Sequence, residues 1–512
     1  MRLLLVTPVF GYRDYPKFLS VSDFPAGFAY LTSSLKQAGH GVYGCNPNNI
    51  TGYASGKDML QAVLTKRIKE IGPELIGIGG LCTDYACLKD SLEIIRSCTQ
   101  APVVMGGNII TYDAQFVFET LRPDWAIPGE GELPLVQLAN DIEAGAVPSK
   151  GVLARKHADK LDSLPFPDYE PFGVEDMVNS YSMATRLLYR YSRTDPRPFI
   201  ITASRSCPFT CSFCVHGRRD IPYRARSLEN IMAELKSAYE KYHFNILIIL
   251  DELFAVNKSR MKDFCLSVLD GRKNYGWDFD WMFQTHASAR LDRESLSLAK
   301  EAGCFFFSYG LESASPTVLE SMNKRIKLEQ VIEAISLAKE ARIGFGANLI
   351  FGDPVETSDT FAESIRFWLE YCKGAFVFMS NVTPYPGSRI FNYCMEKGII
   401  KDKKSYYEHI DNGAINMTSM ADRKLEELLA LTGYMEQSWL FAAEATGVSC
   451  LPIDKTIGAM TPFAGRMYEI AGVCPYCKQR TAYHQPIPDV TRFHFLGTGC
   501  VHCQQRIRIT VS

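Results

Sequence analysis

The sequence predicts an α/β protein built from two parallel-sheet domains and a small metal-stapled tail. Three observations carry this expectation. Short apolar runs alternate with amphipathic stretches over residues 1–150, the alternation resumes over 196–390, and residues 461–512 are short and rich in Cys, Gly and His. Strands alternating with helices imply parallel pairing through crossovers. The 512 residues are 46% hydrophobic and 22% charged, ordinary for a globular protein with sizeable cores. The net charge of −2 provides no overall field toward nucleic acid or an anionic membrane.

In the first domain, "RLLLVTP" reads as a buried strand rather than a signal peptide, because no small-residue cleavage site follows it. "AGFAYLTSSLKQAG" is a helix ending at Gly39, "ELIGIGGL" a strand, "YACLKDSLEIIRSC" a helix, "PVVMGG" a strand and "DAQFVFETL" a helix. "DWAIPGEGE" is a strand running into a loop, and "LPLVQLANDIEAG" is a helix. This is a doubly wound, Rossmann-like sheet, and such sheets bind ligands beyond the carboxyl ends of their strands. Those ends read "TPVFG", "GGLCTD", "GGN" and "GEGE". Their glycines would let backbone approach a large ligand closely.

Residues 151–195 are rich in Pro, Asp and Tyr and read as a linker wrapped over a surface. Residues 196–390 hold about six strand–helix units, too few for a closed eight-unit barrel, so a partial (β/α)6 barrel is expected. Residues 391–460 read as mostly helical, with an apolar stripe through "ADRKLEELLALTGYMEQSWLFAAEA". No apolar run approaches the ~18–20 residues needed to cross a bilayer. The expected compartment is the cytoplasm, where clustered cysteines among the sixteen point to metal or catalysis rather than disulfides.

One cluster is "SRSCPFTCSFCVHG", with Cys207, Cys211 and Cys214 spaced C-x3-C-x2-C directly after a strand. Thiolates hold iron–sulfur clusters, and three ligands on a four-iron cube leave one iron open for a substrate or cofactor. The spacing demands an irregular loop, which Pro208 suits.

This motif, with Phe213 before the third cysteine, resembles that of the radical S-adenosylmethionine (radical SAM) superfamily. The resemblance continues in "YGLESASPTVLESMNK", "GANLIFGDPVET", "TPYPGS" and "ILDELF". It implies that Cys207, Cys211 and Cys214 bind a 4Fe–4S cluster. S-adenosylmethionine then chelates the fourth iron and is cleaved by one electron to a 5′-deoxyadenosyl radical. It further implies that Phe213 packs near the adenine, that Ser308 and Glu312 face S-adenosylmethionine, and that Gln284 and Asn348 occupy comparable strand positions. Asp251 and Glu252 could instead cap the next helix.

A doubly wound domain ahead of such a core is similar to the cobalamin-binding radical SAM enzymes. By this likeness the strand ends contacting cobalamin comprise Thr7 and Pro8, Leu81, Cys82 and Thr83, Gly106, Gly107 and Asn108, and Gly129 and Glu130. The D-x-H-x-x-G motif that supplies a histidine below the cobalt is missing; His40 is followed by "GVYGC". The implied cobalt has no histidine ligand, with "LCTDY" beside its lower face, which eases transfer of a methyl group as a radical.

Cys474, Cys477, Cys500 and Cys503 form C-x2-C-x22-C-x2-C, the paired-knuckle spacing of a zinc ribbon, with rubredoxin-like iron as the alternative. His484, His494 and His502 read as bystanders. Lys478, Arg480, Arg492, Arg506 and Arg508 against Asp489 make the module basic; contact with nucleic acid or an anionic substrate, a solvated face, closure over the active site and stapling of the tail would each explain it.

The expected function is a cobalamin-dependent C-methyltransferase acting on a small molecule, fed by an external one-electron reductant of flavodoxin or ferredoxin type. The alternative is a cobalamin-linked cyclase or rearrangement enzyme without net methylation. A transfer-RNA methylthiotransferase would need three more N-terminal cysteines, the first where "TPVFG" stands. A non-enzymatic metal-binding adaptor would not need the intact triplet. No membrane or nucleic-acid partner is expected.

Overall fold

The computed structural model describes residues 1–15, 24–48, 50, 52–179, 193, 195–216, 222–256, 258–410, 415–437, 439, 442–454, 466–487 and 494–511. The chain forms two compact units, Met1–Ser182 with Pro384–Gly413, and Met183–Thr383 with Ala414–Ser512.

The first unit is built on six parallel strands, β1 (Arg2–Val6), β2 (Gly41–Cys45), β3 (Leu75–Gly79), β4 (Val103–Gly106), β5 (Trp125–Ala126) and β6 (Gly151–Val152). Their order is β2-β1-β3-β4-β5-β6, so the winding reverses between β1 and β3. All of β3 is buried, as expected of a central strand covered on both faces. The helix Gly56–Ile71 shows how the sequence sets its own boundaries. Ser55 Oγ accepts from Asp58 N at its start, Gly72 closes it at φ 58°, and Met59, Leu60, Leu64 and Ile68 form its buried stripe. That stripe packs against Leu4, Ile76, Leu88 and Leu92 in one apolar core.

The described part of the 151–195 segment folds against this unit. Asp168 N donates to Ala29 O at 3.0 Å, Phe172 meets Phe28 at 6.1 Å and Tyr169 meets Phe24 edge-on at 5.5 Å. Gly44 makes the approach possible, since a Cβ there would lie 2.4 Å from Pro171 O. Residues 384–413 also return to this unit. Helix Lys403–His409 buries Tyr407 between Phe116 and Tyr85, with its hydroxyl donating to Asp113 at 2.9 Å.

The second unit holds β7 (Pro198–Ile201), the short antiparallel pair β8 (Ser204–Arg205) and β9 (Arg224–Ala225), then β10 (Ile246–Ile249), β11 (Asp280–Thr285), β12 (Cys304–Glu312), β13 (Gly344–Phe351) and β14 (Phe376–Asn381). Its large sheet is all parallel and strictly sequential, β7-β10-β11-β12-β13-β14, the order of a barrel wall opened along one seam. One face is dry: Trp281, Phe283, Phe307 and Phe345 are buried in contact with one another. On the other face, Ile246, Phe306 and Phe376 pack with Met282 and Trp439 toward the amino ends of the strands. Gly346 accommodates this plug, because a Cβ there would sit 2.4 Å from Phe306 Cζ. Toward the carboxyl ends the same face is open, with Leu250 52% and Phe378 42% exposed.

The tail contains β15 (Ala443–Glu444), β16 (Thr446–Ile453), β17 (Arg466–Val473), β18 (Arg480–Ile487), β19 (Phe495–Gly499) and β20 (Arg506–Thr510), arranged as sheets β16-β17-β18 and β15-β20-β19. The helix expected through residue 445 ends at Gln437. Trp439 takes φ 50°, a left-handed conformation that a helix cannot continue through, and the chain beyond it pairs as strands. Among the described residues no helix is long and apolar enough to cross a membrane.

Gly44→Ala is expected to destabilise the first unit by about 2–3 kcal/mol, because backbone rather than a flexible side chain must give way. Thermal unfolding would report the loss, and hydrogen exchange would place it at residues 168–172. Unchanged exchange there would contradict this packing.

Candidate active site and a four-cysteine centre

Parallel strands deliver their carboxyl ends to one edge, and in the second unit that edge carries the cysteine loop. Cys207, Cys211 and Cys214 are half-buried and free of disulfides, and Phe213 beside them is half-buried. Three separate elements tie the loop down. Asp251, just past β10, accepts from Ala203 N at 2.7 Å and from Ser204 Oγ at 2.6 Å. Burial pushes its carboxyl up to about 6. The turn after helix Pro316–Ser321 holds the middle: Ser212 N donates to Met322 O at 2.9 Å, and Asn323 Nδ2 to Thr210 O and Oγ1 at 2.8 Å. Phe209 stacks on His286 with ring centroids 3.9 Å apart. His286 is pushed down to about 4 by burial and by the nearby Lys324 charge, which keeps its ring neutral at physiological pH.

Glu312 ends β12 with φ 68° and is buried. Lys324 Nζ lies 3.0 Å from its Oε1, with both side chains at least nine-tenths buried. Burial opposes the Lys324 charge, but Glu312 and the neighbouring Cys211 and Cys207 outweigh it and hold the ammonium above its ordinary value. Gln284 and Ser308 are register partners on β11 and β12, and Ser308 pairs onward with Gly346. Asn348 lies two residues further along β13, opposite Phe378. These three polar residues therefore share the open face, Gln284 and Asn348 exposed and Ser308 half-buried. Neither Asp251 nor Glu252 begins the next helix, which starts at Lys258; Glu252 instead pairs with His216 Nδ1 at 3.2 Å.

The "FGDPVET" turn after β13 is locked by one bond within it and one from the helix Pro316–Ser321. Gly352 N donates to Glu356 Oε2 at 2.7 Å, and Ser321 Oγ to Asp353 Oδ1 at 2.7 Å. Sequence reasoning passed over Lys324, Asn323 and His286. Lys324 and Asn323 stand in the quoted "SMNK", but nothing in their spacing shows that the turn folds back onto the cysteine loop.

In the first unit the expected strand-end residues also share one edge. Thr7 is buried and bonded through N to Cys45 O at 3.0 Å and through Oγ1 to Asn46 at 3.3 Å, and Pro8 O accepts from Asn48 Nδ2 at 2.8 Å. A Cβ on Gly107, at φ 84°, would lie 2.6 Å from Gly80 O, so β3 and β4 end in a bare backbone shelf. Leu81 is 52% exposed beside it, and Cys82, Thr83, Gly106 and Asn108 are half-buried. Gly129 N donates to Thr111 Oγ1 at 3.0 Å, with half-buried Glu130 next in sequence. His40 is not on this edge: it precedes β2 and is bonded to Asn140 at 3.0 Å.

The four tail cysteines converge, their sulfurs all within 4.8 Å of one another. Cys474–Cys503 and Cys477–Cys500 are each 3.7 Å apart. Zinc–sulfur bonds of about 2.3 Å in a tetrahedron place sulfurs about 3.8 Å apart, so the donor set fits one such ion. Two matching turns present them. Cys474 N donates to Gln479 O at 2.9 Å with Lys478 at φ 63°, and Cys500 N donates to Gln505 O at 2.9 Å with Gln504 at φ 62°. Among the described residues this is the one such gathering of metal-binding side chains. His484 faces Asp195 at 3.0 Å and His502 bonds to Arg480 O at 2.9 Å, so both are engaged elsewhere. Asp489 and Arg492 lie outside the described residues.

Burial pushes Glu356 up to about 7. A raised carboxyl stabilises the fold while protonated, fully below its unfolded value near 4.3, and that contribution is lost as pH rises through 7. The second unit is expected to lose stability between pH 5 and 8, and Glu356→Gln to flatten that slope in thermal unfolding. An equal slope in the variant would contradict the assignment.

The Radical SAM superfamily model matches residues 201–367. The hopanoid C-3 methylase of Methylococcus capsulatus is 31% identical over 71% of this chain and 67% of its own length. An uncharacterized methyltransferase of Pyrococcus horikoshii is 27% identical over 78% of this chain and 84% of its own. The anaerobic magnesium-protoporphyrin IX monomethyl ester cyclase of Cereibacter sphaeroides is 25% identical over 79% and 66%. Among solved structures, the radical S-adenosylmethionine methyltransferase TsrM of Kitasatospora setae, with cobalamin and a [4Fe-4S] cluster bound, shares the fold at TM-score 0.59 and 18% identity, covering 78% of this chain and 75% of that one. With the cysteine loop and its strand-edge setting, these likenesses place the chain in the radical SAM superfamily.

Proposed function

We propose that this chain is a cobalamin-dependent C-methyltransferase of the radical SAM superfamily, with a largely apolar small-molecule substrate. The observation that carries the reading is the buried Glu312–Lys324 pair beside three half-exposed cysteines on one strand edge. A buried ammonium next to a buried carboxylate matches the two charged ends of an amino-acid zwitterion, the part of S-adenosylmethionine that the family binds at its open iron. When bound, the cluster with S-adenosylmethionine supplies one-electron cleavage of a sulfonium bond, and cobalamin supplies a transferable methyl group.

The chain's own groups bind and orient. Cys207, Cys211 and Cys214 are the cluster ligands. Lys324 faces the carboxylate and Glu312 the amino group of S-adenosylmethionine. Phe213 flanks the adenine, and Gln284, Ser308 and Asn348 offer polar contacts along the open face. Leu250 and Phe378 give that face an apolar wall suited to an apolar substrate. The shelf of Thr7, Pro8, Leu81, Cys82, Thr83, Gly106, Gly107, Asn108, Gly129 and Glu130 would hold cobalamin, its bare backbone leaving room for a flat macrocycle and exposed Leu81 offering an apolar contact. Such an enzyme works in the cytoplasm with a flavodoxin or ferredoxin as electron donor.

A second reading is favoured by one finding: the cyclase relative matches over 79% of this chain. Product mass separates the two, one methylene unit heavier than substrate for methylation and no such gain for cyclisation.

Two variants test the site in anaerobically reconstituted protein. Cys211→Ala is expected to abolish 5′-deoxyadenosine formation. Lys324→Ala is expected to keep its iron but bind S-adenosylmethionine about tenfold to a hundredfold more weakly, the loss of a charged hydrogen bond of about 1.5–3 kcal/mol. Wild-type 5′-deoxyadenosine yield from the first variant, or wild-type affinity in the second, would contradict these roles.

A further inference from the structure

The four-cysteine centre lies at the opposite end of the large sheet from the cysteine loop. Its second turn runs Cys500 to Arg506, and the residues after Cys503 point inward: Gln504, Gln505 and Arg506 are 2%, 8% and 4% exposed. They meet the amino-terminal ends of β13 and β14. A Cβ on Gly344, the first residue of β13, would lie 3.4 Å from Gln504 O, and one on Gly374, just before β14, would lie 2.2 Å from Gln505 Oε1. Arg506 N donates to Gly374 O at 2.9 Å. The Arg506 guanidinium lies 3.9 Å from the Trp439 ring centroid and 5.7 Å from that of Phe376. Phe376, Phe306, Ile246 and Trp439 are the apolar plug of the sheet's open face. Trp439 is wedged from behind as well, since a Cβ on Gly497 of β19 would sit 2.3 Å from its ring.

β13 is 8 residues long, so its two ends are roughly 23 Å apart at about 3.3 Å per residue. A metal in the tail is therefore remote from the chemistry edge, and closure over the active site is not its role. An inward-facing second turn is likewise not free to read a nucleic acid. A tetrathiolate zinc carries a net charge of −2, and Lys300 lies within electrostatic reach of Cys503 to offset it.

We infer that the four-cysteine centre holds a structural zinc whose second turn forms the floor of the large sheet, through Gln504, Gln505 and the Arg506–Trp439–Phe376 stack. The zinc fixes the turn, the turn fixes Arg506, and Arg506 fixes the aromatic plug that seals the amino-terminal mouth.

The test uses the full chain, with metal analysis and hydrogen exchange followed by mass spectrometry. The wild-type protein is expected to hold one zinc per chain beside the cluster iron. Cys477→Ser is expected to lose the zinc and to exchange on the order of tenfold faster at residues 344–347 and 374–379, with residues 75–79 of the first unit unchanged. Arg506→Met is expected to keep its zinc and still exchange faster at 374–379, which decides the matter should Cys477→Ser fail to fold. Iron in place of zinc, or wild-type exchange at 374–379 in Arg506→Met, would overturn the inference.

Discussion

The polarity of the parallel sheet is the constraint on which the rest depends. Because β7, β10, β11, β12 and β13 all run the same way, their last residues arrive at one edge without any long-range design. The cysteine loop leaves β7 there, Asp251 ties its first residues from β10, His286 stacks on it from beyond β11, and Glu312 closes β12 beside it. The opposite polarity end is free for a different task, and the four-cysteine tail takes it. One sheet thus separates a reactive edge from a sealed floor.

The charges at that edge are not there for stability. A buried ion pair such as Glu312–Lys324 roughly breaks even against apolar replacements of similar volume, because desolvating two charges costs about what their attraction returns. Its place beside Cys211 and Cys207 is what the proposed recognition of a zwitterion requires. The same economy explains His286: burial and Lys324 keep it neutral, so it serves as a flat stacking partner for Phe209 and adds no second cation.

Much of this was legible in the sequence, and the limits have physical causes. Period-2 and period-3.6 apolar patterns report local burial, so the strand–helix alternation of both units and the four tail cysteines are legible, although β2, β6 and the helix Gly56–Ile71 of the first unit are missed. The convergence of the four sulfurs followed from spacing because each C-x2-C pair is a local turn. What could not be read is which distant segments fold back. Tyr407 packs between Tyr85 and Phe116 more than 280 residues away in the chain, and "SMNK" anchors a loop about a hundred residues earlier. Neither is encoded in a local period. The helix expected through residue 445 failed for a related reason: Trp439 continues the apolar stripe, yet its ring is spent on the barrel floor and its backbone turns left-handed.

The central claim is that three thiolates hold an iron–sulfur cluster with one iron open to S-adenosylmethionine. Electron paramagnetic resonance of the reduced, reconstituted protein tests it most directly. Adding S-adenosylmethionine labelled with ¹⁵N at the amino group or ¹⁷O at the carboxylate is expected to shift the cluster signal and to produce hyperfine coupling from the label. A signal indifferent to the compound, with no coupling to either label, would contradict the account.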